Sequence, residues 1–196
     1  MGLPLRKSDR RYTYGDYRTW PDDERWELIE GEAWNMSTAP STSHQGLVAL
    51  LTSSILQLLK RQRGCRVFPA PFDVLLPATP GQDEDDVDTV VQPDVTVICD
   101  RGKITPRGCR GAPDWAIEIL SPYTAAKDMR VKRDLYERHG VREYWIVDIG
   151  NRCVHVYRRG DDNRYGEAET FVGGAVLRST VCAGFELGLA ELFEDA

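Results

Sequence analysis

Three charged side chains of this sequence stand in segments whose other residues are apolar. In the run 115–120, the alternation of strand side chains puts Glu118 on one face with apolar neighbours. Asp94 precedes another apolar run and follows Pro93, which cannot donate a backbone hydrogen bond to a sheet. Because burying an unpaired charge is costly, both acids indicate a binding partner or a functional site.

The third charged side chain is Lys132, on a helix predicted over residues 124–139. At about 3.6 residues per turn, its polar arc contains Arg130, Arg133, Asp134, Glu137 and Arg138. The opposite, apolar arc contains Met129, Val131, Leu135 and Tyr136. Lys132 falls within this apolar arc, so its ammonium must reach either solvent or a carboxylate. A similar projection puts His44 within the apolar stripe of an earlier helix, formed by Leu47, Leu51 and Ile55.

Two carboxylates and a lysine suit metal-assisted attack on a phosphate. Magnesium prefers oxygen ligands, which Asp94, Glu118 and the backbone carbonyl of Ile119 can supply. Bound magnesium would orient and acidify a water molecule, while Lys132 would hold the nucleophile or the developing negative charge. The same pattern is equally consistent with a buried ion pair between Lys132 and one of the acids.

The order of predicted elements favours an α/β or α+β fold. A hairpin of strands 25–29 and 32–36 turns at Glu30-Gly31, and a helix then runs from the capping residues 41–43 to about residue 63. Further strands are predicted at 65–68, 72–76, 90–99 with a break at Pro93, 115–120, 142–149 and 152–158, followed by closing strands and a short terminal helix. We expect one domain over residues 25–196, preceded by a partly mobile extension, residues 1–24.

The composition indicates a globular protein. The 196 residues are 41% hydrophobic and 29% charged, which excludes disordered and low-complexity classes. No apolar run approaches the roughly 20 residues of a membrane span, and the start lacks a secretory signal, so we expect a cytoplasmic protein. The net charge of −6 does not favour a purely electrostatic nucleic-acid binder, and residues 83–88 form an acidic loop. Five dispersed cysteines without a CxxC pair predict reduced thiols.

Several ordered motifs run through most of the chain. They are ELIEGE at 27–32 with the following His44, QPDVTV at 92–97, APDWAIEILSP at 112–122, D-x-R-x-K-x-x-x-Y at 128–136 and GVREYWIVD at 140–148. This ordered set resembles the PD-(D/E)xK nuclease superfamily and, more closely, the Uma-two family of restriction-type endonucleases. The resemblance extends from about residue 26 to residue 193.

The resemblance implies a restriction-endonuclease-like fold, in which helices flank a mixed central sheet, with an N-terminal hairpin and extra C-terminal strands. It also implies a homodimeric endonuclease that cleaves DNA with Mg²⁺ or Mn²⁺, with Asp94 and Glu118 as the metal-binding acids. Leu120 stands where the superfamily motif has its lysine, so the lysine role passes to Lys132. Glu30 is either an additional acid of the site or a solvated turn residue.

Two further residues carry lower-ranked hypotheses. His44 contacts phosphate or a nucleophilic water, or it is a capped, half-buried histidine. Tyr136 hydrogen-bonds to a group of the site, or it is a core tyrosine. As an alternative to the enzyme, the chain is a nucleic-acid-binding or protein-interaction module that retains the fold without activity, and RNA is an alternative substrate to DNA.

Overall fold

Two six-stranded sheets form the framework of the protein, and the computed structural model describes residues 10–21, 23–36, 40–62, 64–121, 125 and 127–194. The first sheet contains β1 (Trp26–Ile29), β2 (Glu32–Asn35), β4 (Asp73–Leu75), β5 (Val90–Val91), β7 (Ile104–Thr105) and β8 (Gly108–Arg110), in the order β2-β1-β5-β4-β8-β7. The second contains β3 (Arg66–Pro69), β6 (Val95–Ile98), β9 (Trp115–Ile119), β10 (Glu143–Asp148), β11 (Cys153–Arg158) and β12 (Glu169–Val172), in the order β12-β11-β10-β9-β6-β3.

The remaining elements are helices and one two-stranded sheet. The α-helices are α1 (Tyr14–Tyr17), α2 (Thr42–Arg61), α3 (Arg133–His139) and α4 (Leu189–Leu192). A 3₁₀ turn spans Arg101–Lys103, a π-helix spans Lys127–Lys132 and runs into α3, and β13 (Val176–Arg178) pairs with β14 (Glu186–Gly188). The described residues contain no helix that is both long and apolar enough to span a membrane.

Helices cover both faces of the second sheet, which confirms the predicted α/β class. The stripe Leu47, Leu51 and Ile55 of α2 packs against one face, together with Trp115 and Ile117 of β9. Leu135 and Tyr136 of α3 pack against the other face, which includes Ala116 of the same strand. Fully burying a leucine or isoleucine side chain contributes about 1.5–3 kcal/mol, so these contacts hold the helices firmly on the sheet.

Most of the strands lie in two six-stranded sheets, whereas the resemblance implied one mixed central sheet. The apolar run 90–99 is divided between the two sheets, because Val90–Val91 pairs with β1 and β4, whereas Val95–Ile98 pairs with β3 and β9. Pro93 lies at the division and has no N–H with which to continue the ladder. Asp94 follows directly and therefore lies where the two sheets meet.

The N-terminal hairpin forms as predicted. β1 and β2 are antiparallel neighbours, and the turn between them contains Glu30 at φ 51° and Gly31 at φ 78°. Two successive left-handed residues are typical of a type I′ turn, whose twist matches that of the flanking strands. A Cβ at Gly31 would approach Cδ of Arg11 to 2.9 Å, so a larger residue there would have to displace the Arg11 side chain.

Residues ahead of the predicted domain boundary at residue 25 pack against it. Tyr14 of α1 is buried in an apolar cluster with Trp26, Leu28 and Val90. The backbone N–H of Tyr14 donates to the carbonyl of Val87, in the acidic loop, and Arg18 forms an ion pair with Asp85 at 2.8 Å.

The predicted helix over residues 124–139 differs in its first half. Its predicted start at Thr124 lies outside the described residues, and Lys127–Lys132 is π-helical. A π-helix is wound more loosely than the α-helix used for the projection, since it hydrogen-bonds i to i+5. Met129 and Val131, assigned to the buried arc, are consequently 40% and 36% exposed.

The cysteines depart from the expectation of reduced thiols. Cys65 and Cys99 form a disulfide, while Cys109, Cys153 and Cys182 are free and buried. β3 and β6 are antiparallel with Arg66 opposite Ile98, so the next residues outward, Cys65 and Cys99, face each other. The sequence did not predict this pairing, because the two cysteines are 34 residues apart in the chain. The cytoplasmic location stays a prediction.

Candidate active site

Asp94 directly precedes β6 and lies level with Glu118 of the adjacent strand β9. Val95 pairs with Ile117 in the antiparallel β6–β9 ladder, which puts Asp94 opposite Glu118 one position further on. Oδ2 of Asp94 accepts a hydrogen bond from the backbone N–H of Ile119 at 2.8 Å. The structure therefore brings together the two acids and the carbonyl-bearing residue that the sequence predicted as metal ligands.

Glu118 is a buried carboxylate with two donors on one oxygen. Its Oε1 accepts from Nζ of Lys132 at 2.7 Å and from the hydroxyl of Tyr136 at 2.9 Å. Burial raises the pKa of Glu118 well above its ordinary value, although Lys132 opposes the shift, and the charges of Asp128 and Asp94 add to it. Glu118 is thus an acid whose negative charge is disfavoured unless a further cation approaches it.

Lys132 is the centre of the charged cluster. Besides Glu118, its Nζ lies 2.8 Å from Oε1 of Glu27 and 3.6 Å from Oδ1 of Asp128. Burial lowers the pKa of Lys132, but the charges of Glu118, Glu27 and Asp128 outweigh this effect and raise the pKa well above its usual range. Lys132 therefore keeps its positive charge. Both predictions for this residue, a buried ion pair with an acid and a lysine of the active site, require that charge.

Glu27 and Lys127 are members of the cluster that the sequence prediction omitted. Glu27 is fully buried on β1, and it accepts from Nζ of Lys127 at 2.5 Å and from the backbone N–H of Gln92 at 2.9 Å. Burial raises the pKa of Glu27, but Lys127 and Lys132 together lower it to about 2. The available signal was the position of Glu27 inside a strand whose neighbours Trp26, Leu28 and Ile29 are all apolar.

The π-helix explains why Lys127, Asp128 and Lys132 all face the cluster. Its i to i+5 hydrogen bonding places residues 127 and 132 one turn apart, and all three side chains are buried. The hydroxyl of Tyr144 donates to the backbone carbonyl of Asp128 at 3.0 Å and anchors this turn to β10. Functional positions in proteins often use such π-helical turns.

Glu30 is the one predicted site acid that the structure does not bring to the cluster. It lies in the β1–β2 turn, and its Oε1 forms an ion pair with Arg138 at 2.6 Å. The side chain is 54% exposed and does not line the cavity described below. The two glutamates are separated because Glu27 lies within β1, three residues before Glu30, and is fully buried.

His44 and Tyr136 both contact the predicted acids. Ser41 caps α2 by accepting from the N–H of His44, which fixes His44 in the first turn. Nε2 of His44 lies 3.1 Å from Oδ2 of Asp94. Burial lowers the pKa of His44, but its hydrogen bond to Asp94 and the charge of that acid raise it above the ordinary value overall.

A cavity of about 670 Å³ opens onto the cluster. Asp94, Glu118, Ile119, Lys132 and His44 line it, with other groups that include Glu27, Lys127, Asp128, Arg25 and Ser121. All hydrogen bonds of Asp94 within the described chain go to Oδ2, and those of Glu118 go to Oε1. One oxygen of each acid is thus left to bind another group, and hard carboxylate oxygens are ligands that fit a divalent cation such as Mg²⁺.

The mixed α/β fold carries two acids at the same end of the adjacent inner strands β6 and β9, with a lysine beside them, as expected from the resemblance to restriction-type endonucleases. A family model with the description "Uma2: Putative restriction endonuclease" matches residues 14–190, and the chain belongs to this family.

The fold is also found in a solved structure. This structure is a "putative nuclease belonging to DUF820" from Anabaena variabilis ATCC 29413, with 24% sequence identity and a TM-score of 0.73. The match covers 93% of this chain and 97% of the other, so the two share their whole fold. No curated protein matches the chain.

Proposed function

We propose that the protein is an endonuclease that hydrolyses phosphodiester bonds in DNA with the help of Mg²⁺ or Mn²⁺. The observation that carries this proposal is the convergence of Asp94, Glu118 and Lys132 on one cavity. These residues are separated by up to 38 positions in the chain: Asp94 directly precedes β6, Glu118 is in β9 and Lys132 ends the π-helix. Membership of the restriction endonuclease family supports the same reaction class.

In this proposal, Asp94, Glu118 and the backbone carbonyl of Ile119 hold the divalent cation. The free oxygens of the two acids are available for it, and the N–H of Ile119 orients the Asp94 carboxylate at 2.8 Å. A cation bound there would lower the pKa of a water molecule and offset the negative charge of the phosphodiester. The raised pKa of Glu118 supports this assignment, since a nearby cation favours the charged form of the carboxyl.

Lys132 acts in this proposal as an electrostatic group and not as a base. Its pKa is raised well above the usual lysine range, so the amine stays protonated at neutral pH and cannot accept a proton from water. A fixed ammonium stabilises negative charge that develops on phosphate oxygens in the transition state. Glu118 and Glu27 orient the ammonium with contacts of 2.7 and 2.8 Å, so little reorganisation is needed during the reaction.

The test is metal-dependent nicking of a supercoiled plasmid, with Mg²⁺, Mn²⁺ or EDTA. Asp94→Asn and Lys132→Met should each reduce the nicking rate by about 100-fold or more, since each removes a group that acts on the transition state. Asp134→Asn and Arg138→Met are matched controls on α3, because both side chains are largely exposed and outside the cavity. Circular dichroism should show that all four variants are folded.

Three results would contradict the proposal. They are the absence of metal-dependent products from the parent on plasmid, linear duplex and single-stranded DNA, full activity of Asp94→Asn, and equal losses in the controls. If the unmodified protein binds DNA without cutting it, the alternative of a non-catalytic nucleic-acid-binding module is correct. If it cuts only RNA, its substrate is RNA and not DNA. Glu30→Gln in the same assay decides the remaining sequence prediction for that acid.

The proposed enzyme is a homodimer, because two sites related by a two-fold axis match the two antiparallel strands of duplex DNA. Light scattering coupled to size exclusion measures this directly. A mass near 22.2 kDa at all working concentrations would contradict the dimer and leave the single-site chemistry to be tested by nicking.

A further inference from the structure

A second cluster of metal-ligating side chains lies at the closed end of the β10–β11 hairpin. It consists of Asp148, Cys153 and His155, whose potential ligand atoms all lie within 4.8 Å of one another. Asp148 pairs directly with Cys153 in the antiparallel ladder, and His155 is two residues beyond Cys153 on the same face. None of the three lines the cavity of the proposed active site.

The spacing of the sulfur and nitrogen donor atoms fits a tetrahedral zinc site. Sγ of Cys153 lies 3.7 Å from Nε2 of His155. Zinc binds sulfur at about 2.3 Å and histidine nitrogen at about 2.0–2.1 Å, so tetrahedral angles place these two ligands about 3.6 Å apart. The observed separation therefore needs almost no adjustment to accept the ion.

Neighbouring residues already orient the ligands. Nδ1 of His155 lies 2.9 Å from Oγ1 of Thr170, its cross-strand partner on β12, which leaves Nε2 to face Cys153. Both carboxylate oxygens of Asp148 accept from Asn151, at 3.0 Å from its backbone N–H and 2.8 Å from its side-chain amide. Metal-binding histidines and carboxylates are usually held by hydrogen bonds of this kind, which fix the tautomer and the orientation.

We propose that Asp148, Cys153 and His155 form a zinc site, with a fourth position open to water or another ligand. A thiolate, a carboxylate and a neutral imidazole give two negative charges, which Zn²⁺ balances, so a buried cysteine can be ionised without leaving a net charge.

The test uses Co²⁺ as a spectroscopic probe on the full chain after chelator treatment. Binding through Cys153 should produce one equivalent of a thiolate-to-cobalt charge-transfer band, and Zn²⁺ should remove it, since Zn²⁺ normally binds such ligands more tightly. Oxygen ligands alone do not produce this band, so a cation at Asp94 and Glu118 does not interfere.

Variants assign the band to these residues. Cys153→Ser should abolish it, and His155→Gln should weaken Co²⁺ binding by at least about tenfold, whereas Cys182→Ser, another buried free cysteine, should leave it unchanged. Thr170→Val, which removes only the orienting hydroxyl, should weaken binding by about 10–100-fold. If Cys153→Ser does not fold, the His155 and Thr170 variants still decide the question.

The proposal is overturned by the absence of a charge-transfer band in the parent, by a band that persists in Cys153→Ser, or by equal affinity in His155→Gln and the parent. Its outcome is independent of the proposed nuclease activity, because the readout is Co²⁺ binding and no step of the test measures cleavage.

Discussion

Glu27→Gln is the most informative perturbation of the buried cluster. The substitution keeps the size of the side chain and an acceptor for the Gln92 N–H, but it removes the charge that lies 2.5 Å from Lys127 and 2.8 Å from Lys132. Lys132 retains Glu118, whereas Glu27 is the nearest carboxylate that the structure gives Lys127. We expect a large loss of stability, because a buried ammonium loses its counter-charge.

The magnitude follows from the pKa of Glu27. Its folded pKa of about 2 lies below the ordinary value of 4.5, and one pKa unit corresponds to about 1.36 kcal/mol. The charge therefore contributes about 3 kcal/mol to the free energy of unfolding, in line with about 3–5 kcal/mol for breaking a buried ion pair. Because the folded pKa is depressed, this contribution is complete above pH 4.5 and is lost as the pH falls toward about 2.

Urea unfolding in EDTA measures the effect at about pH 7 and about pH 3. The free energy of unfolding of the parent should exceed that of Glu27→Gln by about 3 kcal/mol at the higher pH and by about half as much at the lower pH. Glu30→Gln is the control, because its exposed ion pair with Arg138 contributes less than about 1 kcal/mol. Adding Lys127→Met to Glu27→Gln should restore part of the loss. The reasoning is refuted if the free energies of unfolding of the parent and Glu27→Gln differ by less than about 1 kcal/mol at neutral pH, or if their difference is not smaller at the lower pH.

Three further predictions concern single contacts. Glu118→Gln should abolish nicking without lowering the free energy of unfolding at neutral pH, since burial raises the pKa of this carboxyl and so disfavours its charge. A clearly lower free energy of unfolding in urea would contradict this prediction. Tyr136→Phe should lower that free energy by about 0.5–1.5 kcal/mol, because it removes a buried hydrogen bond to the Glu118 carboxyl group, and an unchanged urea midpoint would contradict this. Alkylation of the unfolded, unreduced chain should label three of the five cysteines, and mass spectrometry that shows five labels would exclude the Cys65–Cys99 disulfide.

The part of the site that the sequence predicted depends on short-range rules. A strand alternates its side chains, so an acid within an apolar run must be buried, and this reasoning identified Glu118. A proline interrupts a ladder, so the residue beside it lies at a strand end, and this identified Asp94. Both rules concern a few consecutive residues, and neither depends on how distant strands pair.

Other features depend on packing that no local pattern records. Met129 and Val131 were assigned to the buried arc because the projection assumed an α-helix, whereas the buried pairs Lys127–Glu27 and Tyr144–Asp128 accompany a π-helical turn. The division of strands into two sheets follows from pairings between residues up to 62 positions apart, such as Leu28 with Val90. Tertiary contacts of this kind override local propensity.

The two glutamates that share Lys132 differ in their cationic partners, and this difference supports different roles for them in the proposed enzyme. Glu27 has two ammonium partners and a backbone N–H, so its charge is fully compensated and its pKa falls to about 2. Glu118 has one ammonium partner, which it shares with Glu27, and it lies beside the charges of Asp128 and Asp94. Negative charge is therefore under-compensated at Glu118, on the side that faces Asp94 and the cavity. A divalent cation there would complete the compensation, whereas at Glu27 it would have to displace a lysine. We infer that Glu27 positions the lysines and Glu118 binds the metal.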